Sequence, residues 1–206
     1  VPLLAKLLTD NHPMVRQTAA RALGRRKEED AVTALKTGLK DGEAAVRQEA
    51  LRALIKLSKS QSAGVKKRLG EAAGSMVEET INGGSDSEKA LARPLLFGLG
   101  DKSQLDGLRE LAKNGNADVR QLVVDNVGGQ SDVMVSLLAD PSFAVRFGAA
   151  KKLADAGDKR AIAVLREAVL ERAARGTERI EHLGHRHAAR LRAERDVHAA
   201  GSAAAA

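Results

Sequence analysis

Histidines and carboxylates near the carboxyl end of the chain are the first candidates for chemistry. His182, His185 and His187 lie close together, and Glu178 comes one helical turn before His182. Imidazole and carboxylate ligands spaced three or four residues apart can share one helix face and hold a metal ion. The surrounding arginines repel a cation, and none of these histidines is followed by glutamate. We therefore expect no functional metal site here, and no cofactor elsewhere.

Nucleophilic catalysis lacks its usual signatures in this sequence. The 206 residues contain no cysteine, which removes thiolate nucleophiles, cysteine zinc sites and disulfides together. A glycine-flanked nucleophile serine, a phosphate-binding loop and a dinucleotide-binding glycine motif are also missing from the sequence. The sequence therefore predicts a protein that is not an enzyme and has no catalytic residues.

Positive charge indicates an anionic partner. The formal net charge is +7, but it is spread along the chain, whereas a phosphate-binding stripe is usually concentrated. Tyrosine and tryptophan are absent, and the three phenylalanines are expected to be buried, so few rings could stack on bases. An acidic protein partner is favoured over nucleic acid. No apolar stretch approaches the roughly 20 residues of a membrane span, so no membrane partner is expected.

An internal repeat organises the sequence. Five copies begin with an acidic or amide residue that is expected to cap a helix: Asp10, Asp41, Asp86, Asn114 and Asp140. Each copy continues with an apolar position and an apolar helical face, which is alanine-rich in the first copy. In four copies a glycine-containing break follows, at Gly24, Gly100, Gly128 and Gly157, before a second apolar-faced helix. Helix pairs of this kind bury their apolar sides by stacking. The predicted fold is all-α, an α-solenoid of about five helix pairs.

The repeat also predicts the domain organisation. The solenoid is expected over residues 1–174, with units near 9–40, 41–84, 85–113, 114–138 and 139–174. Residues 175–200 are expected to form an irregular C-terminal capping helix, and residues 201–206 a tag or unassigned tail. Pro94 is expected to kink the first helix of the third unit near Ala90. Residues 1–8 look like the second helix of an earlier unit, so we expect a fragment of a cytoplasmic protein, which could have lost an N-terminal signal.

The pattern D-x4-V-R-x2-A-A-x-A-L-G resembles the HEAT-like repeats named after the phycobilisome lyases, over about residues 1–174. The resemblance implies an armadillo-like solenoid in which aspartates and arginines form a ladder between neighbouring units. Carried over to this sequence, the ladder comprises Asp10, Arg16, Asp41, Arg47, Arg120, Asp140 and Arg146. Two positions depart from the pattern, because Ala92 replaces the third arginine and Asn114 replaces the fourth aspartate.

The preferred interpretation is a non-catalytic scaffold whose concave, second-helix surface binds a protein. The basic side chains expected on that surface are Lys36, Lys40, Lys66, Lys67, Arg109, Lys113 and Arg166. The family resemblance leaves open a subunit of a bilin lyase or another chromophore-handling complex. The charge leaves open nonspecific binding to duplex nucleic acid through its phosphates. The sequence does not predict the oligomeric state.

Overall fold

The computed structural model describes residues 1–59, 62–128 and 132–171, without the side chains of residues 72 and 73. Two compact units divide the chain, residues 1–161 and 162–206. The helices of the first unit are α1 Pro2–Leu7, α2 Pro13–Leu23, α3 Glu29–Leu39, α4 Ala44–Ser58, α5 Ala63–Gly83, α6 Asp86–Gly98, α7 Gln104–Asn114, α8 Ala117–Asn126, α9 Asp132–Ser136 and α10 Phe143–Asp155. A 3-10 turn at Leu137–Ala139 extends α9.

The first unit is built from stacked helix pairs. Its first helices pack in chain order, α2 against α4, α4 against α6, α6 against α8, and α8 against α10. Among the second helices, α3 packs against α5, and α7 packs against α9. Every described element is helical or a turn. The predicted all-α class and the α-solenoid of helix pairs are confirmed.

Small side chains let the first helices approach closely. Ala19 and Ala20 of α2, and Ala50 of α4, are fully or almost fully buried. At the end of α2, a Cβ atom on Gly24 would lie only 2.8 Å from the Cα atom of Ala53. The alanine-rich faces of the first two repeats therefore serve as the contact between their layers, as helix packing at short interaxial distance requires.

The predicted helix caps are wrong for all five repeats. The capping residues are His12, Glu43, Ser85, Asn116 and Ser142. Three of the predicted caps, Asp10, Asp41 and Asp140, lie two residues earlier and accept the backbone N–H of the true cap at 2.8–2.9 Å. They form the turn before the helix because an aspartate side chain bonds readily to the amide two residues on. Asp86 and Asn114 lie inside α6 and α7.

The glycine breaks between paired helices have a conformational reason at two positions. Gly100 has a φ of +109° and Gly157 a φ of +78°. Glycine adopts this left-handed region without the steric cost that a Cβ atom brings. Each of these residues turns the chain from the first helix of its repeat toward the second. Pro94 is buried inside α6, which continues through it from Asp86 to Gly98.

The expectation of three buried phenylalanines is wrong, because Phe97 and Phe143 are half-buried and Phe147 is exposed. Phe147 is 40% exposed, and its ring stacks on Phe143 with centroids 5.9 Å apart. The guanidinium of Arg146 lies 5.7 Å from the centre of the Phe143 ring. Both rings belong to α10, so they form a local cluster on one helix rather than part of the core between helices.

Of the second unit, residues 162–171 are described, and they are helical. Ala168 is buried, whereas Ile162, Val169 and Leu170 are exposed. The expected capping helix at 175–200, the tail at 201–206 and the histidine cluster lie outside the described residues. None of the helices in the described part of the chain is long and apolar enough to cross a membrane.

Candidate functional site

The junction between the first two repeats is joined by arginine–carboxylate pairs. Arg16 of α2 donates from Nε and Nη2 to the two carboxylate oxygens of Asp41, at 2.6 and 2.9 Å. Its Nη1 atom donates to the backbone oxygen of Asp10 at 2.8 Å. Arg21, one turn further along, donates to Glu49 at 3.0 Å. The fork-shaped guanidinium thus links its own repeat to the next, a geometry that arginine suits because its donors are fixed in one plane.

The second junction uses a carboxylate outside the predicted ladder. Arg47 of α4 donates through Nε to Glu88 at 2.6 Å and through Nη1 to the backbone oxygen of Asp41 at 2.8 Å. Glu88 also accepts from the backbone N–H and hydroxyl of Ser85, completing the capping box of α6. The serine-to-glutamate spacing is the signal that could have identified this acceptor from sequence.

The junction between the fourth and fifth repeats returns to the first pattern. Arg120 of α8 donates to both carboxylate oxygens of Asp140, at 2.5 and 2.9 Å. Arg146 of α10 donates to the backbone oxygen of Asp140 at 2.8 Å, as Arg16 does to Asp10 in the first repeat. Asp10 accepts a backbone amide through its carboxylate and receives Arg16 at its carbonyl.

The third repeat has a different arrangement. Ala92, at the arginine position, is completely buried. The neighbouring Arg93 donates to Gln104 of its own repeat at 2.9 Å, and its Nε atom is buried without a partner. Asn114 is exposed at the end of α7, and its side chain does not accept an arginine as Asp41 does. The structure therefore leaves the ladder open between α6 and α8 in the described residues.

The paired carboxylates are held in their ionised form. A hydrogen bond from Arg16 lowers the pKa of Asp41. Burial raises the pKa of Glu88, but hydrogen bonds from Arg47 and Ser85 outweigh burial, so its pKa lies below the ordinary value. Burial likewise raises the pKa of Asp140, and the bond from Arg120 again prevails, lowering it overall. Groups ionised well below neutral pH serve as acceptors for arginine and not as general acids.

The basic side chains predicted on the second helices lie on several elements. Lys36 and Lys40 belong to α3 or its end, Lys66 and Lys67 to α5, Arg109 and Lys113 to α7, and Arg166 to the second unit. All are exposed except Lys36, which is half-buried. Because α3 packs beside α5, four of these lysines lie on neighbouring helices.

Two of these basic side chains, Arg109 and Lys67, already form ion pairs with carboxylates of the chain. Arg109 bonds to Asp106 at 2.8 Å and lies 3.5 Å from Asp132 of α9. The ammonium of Lys67 lies 3.8 Å from Glu71 on the same helix. Lys40 lines an open groove of about 500 Å³ together with Glu79 and the Arg47–Glu88 pair. The predicted surface therefore presents mixed charges, and Arg109 also helps to join α7 to α9.

A second basic cluster was not predicted from the sequence. Arg25, Arg26 and Lys27 follow the end of α2, and Lys56 and Lys59 lie at the end of α4. All five residues line one cavity. The run of three cations directly after Gly24 was a visible signal, but its approach to the end of α4 could be seen only in three dimensions. Within the described residues, no group of three or more histidines and carboxylates is placed to hold a metal ion.

Comparisons with known proteins agree with this architecture. A family model described as HEAT repeats matches residues 1–84 and 105–181. An engineered protein of known crystal structure is similar over 81% of this chain and 83% of its own, with 19% sequence identity and a TM-score of 0.51. The complex of CpcE and CpcF of phycocyanin lyase from Nostoc sp. PCC7120 is similar over 80% of this chain and 79% of its own, with 16% identity and a TM-score of 0.48. A comparison with curated protein sequences found no match. Since the family model covers most of the sequence, the chain belongs to the HEAT repeat family.

Proposed function

We propose that this chain is a non-catalytic scaffold that binds a protein partner on the surface of its second helices. The observation that carries the proposal is the membership of most of the chain in the HEAT repeat family, whose repeats generally mediate protein interactions. The stacked helix pairs offer such a partner a preformed surface. Binding to a preformed surface loses little conformational entropy, so modest contacts suffice for affinity.

Three lysines of α3 and α5 give this surface unpaired positive charges. Lys36, Lys40 and Lys66 form no ion pair within the described residues, so they are available to an acidic partner. Exposed lysines steer association with an oppositely charged surface more than they add affinity. The partner proposed here is therefore acidic, and its association is expected to slow as ionic strength rises.

The buried carboxylates support a role without catalysis. In the described chain the buried charged or polar residues are Glu49, Glu88 and Asp140, and each accepts hydrogen bonds from an arginine. Their environment serves the contact between repeats. A carboxylate used as a general acid needs instead an environment that raises its pKa toward the working pH.

The test uses one lysine from each of three second helices or their ends. The variant Lys40→Glu/Lys66→Glu/Lys113→Glu reverses three exposed charges on α3, α5 and α7. A partner identified by affinity purification from the native cell is then purified and titrated against each form by biolayer interferometry. We expect the variant to bind at least tenfold more weakly, with an unchanged helical circular dichroism spectrum.

A matched control reverses three exposed lysines outside these helices. The variant Lys102→Glu/Lys151→Glu/Lys159→Glu changes the net charge equally, and none of these lysines forms an ion pair in the described chain. It is expected to retain most of the affinity. Equal loss in both variants would show that net charge, and not the second-helix surface, determines binding.

The two alternatives from sequence remain predictions. A bilin lyase subunit would co-purify with chromophore and absorb visible light. A duplex-binding protein would lose affinity steeply with salt in a gel-shift assay.

A further inference from the structure

An open cavity of about 390 Å³ lies between the end of α2, with the three residues after Gly24, and the end of α4. Gly24 and Leu57 line its inner part, and Leu57 is only 2% exposed. The remaining side chains include a cluster of five cations, which we call the basic cavity: Arg25, Arg26, Lys27, Lys56 and Lys59. A volume of this size is typical of a site that encloses part of a small or extended ligand.

The cations of the basic cavity differ from the other arginines of the solenoid. Arg16, Arg47 and Arg120 each bind a carboxylate of the next repeat. The five cavity cations are exposed, and none has an ion pair or side-chain hydrogen bond within the described chain. Like charges collected around one cavity repel each other, and the repulsion is relieved when an anion enters.

Acidic residues next to the basic cavity in sequence disfavour a long polyanionic ligand. Glu28, Glu29 and Asp30 follow Lys27 directly in sequence, at the start of α3. The Glu29 side chain occupies the space that a Cβ atom on Gly64 would fill, in the first turn of α5, and lies 3.7 Å from Arg68. A long polyanion extending past the cavity on this side would meet these carboxylates, whereas a compact anionic group would not.

The described lining residues also contain no aromatic ring. Single-stranded nucleic acids are usually held by base stacking on such rings, so the cavity lacks that source of affinity. Carboxylate and phosphate groups on a peptide need only cations and hydrogen-bond donors, which Arg and Lys supply.

We propose that the basic cavity binds a short acidic segment of a protein partner, through carboxylate or phosphate side chains. The proposal rests on the scaffold function above and gives the chemistry of one segment of its partner. Leu57 closes the inner end of the cavity. The arginines and lysines around it bind the anionic groups.

The test measures fluorescence anisotropy of labelled peptides with the purified full chain at low salt. One glycine–serine peptide carries four consecutive glutamates, a second carries glutamines at those positions, and a third carries a single phosphoserine. The wild-type protein should bind the glutamate and phosphoserine peptides and not the glutamine peptide. The variant Lys56→Gln/Lys59→Gln should bind them about fivefold more weakly, as two exposed charge contacts imply.

The control variant Lys102→Gln/Lys151→Gln loses the same two charges outside the cavity and should keep the wild-type affinity. Both variants change only exposed side chains, so both are expected to fold. Thermal unfolding and circular dichroism check this. Failure of the wild-type protein to bind either anionic peptide would overturn the proposal. Equal weakening in the two variants would overturn it as well.

A duplex DNA of twenty base pairs, added as a competitor of the peptides, tests whether the cavity binds nucleic acid instead. Duplex that binds more tightly than the peptides, and is weakened by the cavity variant, would assign the site to nucleic acid and overturn the proposal. The second-helix variant Lys40→Glu/Lys66→Glu/Lys113→Glu should retain peptide affinity. If that variant loses the protein partner while no variant affects the peptides, the cavity proposal fails and the scaffold function stands.

Discussion

The first two junctions of the solenoid and the junction between its third and fourth repeats use different contacts. Arg16 and Arg47 each reach a carboxylate of the following repeat. Between α6 and α8, no arginine–carboxylate pair is present in the described residues, and Ala92 occupies the arginine position, fully buried. Nevertheless α6 and α8 pack together as α4 and α6 do. Apolar faces are therefore sufficient to stack the repeats.

The arginine pairs have a conditional role in such a stack. Burying an ionised carboxylate lowers the free energy of unfolding unless a cation compensates its charge. A repeat that carries the buried Glu88 therefore requires Arg47. The third junction avoids this requirement because neither member of the pair is present. The comparison predicts that removing one partner from a paired junction is costly, and that adding one partner to the unpaired junction is costly too.

Arg47→Ala should produce the largest effect. It leaves the Glu88 carboxylate, whose side chain is 2% exposed, without its cation. Breaking a buried ion pair by removing one partner costs about 3 kcal/mol in the free energy of unfolding. Urea denaturation followed by circular dichroism measures the loss.

Arg52→Ala is the matched control on the same helix. Arg52 lies 3.9 Å from Glu49, and its side chain is 42% exposed. Glu49 is buried, but it keeps its closer hydrogen bond from Arg21, so loss of this long contact to a half-exposed arginine should cost only about 0.5 kcal/mol. Similar losses in the two variants would show that burial of Glu88 does not govern the cost.

Ala92→Arg should also destabilise the protein, although it restores the repeat pattern. The new side chain would enter a fully buried position in α6, and the aligned residue of the next repeat, Asn114, offers no carboxylate. Overpacking of a close helix contact costs about 2 kcal/mol. The double variant Ala92→Arg/Asn114→Asp supplies the missing acid, and it should remain less stable than wild type, because Asn114 is exposed at the end of α7. A gain in stability would show that the ladder alone determines how the repeats are joined.

Sequence was a good guide to the fold because the repeated spacing of alanines, leucines and valines follows helical geometry. Ala19, Leu23, Val46 and Ala50 are buried as that periodicity predicts. The positions of the helix caps were harder to predict from the sequence. An aspartate such as Asp10 or Asp41 suits both a cap and the turn before it. In the structure both carboxylates accept the backbone N–H two residues later, and only that of Asp41 also accepts Arg16.

The candidate sites were harder to predict because they depend on which loops and helices become neighbours. Sequence marked Arg109 as available for binding, yet Asp106 and Asp132 neutralise it. The order of residues does not indicate that Arg26 and Lys56 are neighbours, since α3 and most of α4 lie between them. Only the stacking of α2 on α4 brings the ends of the two helices together.

The smallest effect on stability is expected at an ion pair within one loop, which joins no two repeats. Hydrogen bonds from Arg160 lower the pKa of Asp158 from 3.8 to about 2. A carboxylate with a lowered pKa contributes stability above its unfolded pKa, and that contribution is lost as pH falls from about 4 through about 2. Carboxyl NMR titration of wild type and Arg160→Ala should show the Asp158 pKa returning toward 3.8. Because this pair is exposed and joins residues two apart, the variant should leave the urea midpoint at pH 7 unchanged within error. A midpoint shift as large as that of Arg47→Ala would mean that local loop pairs stabilise the solenoid as strongly as the pairs between repeats.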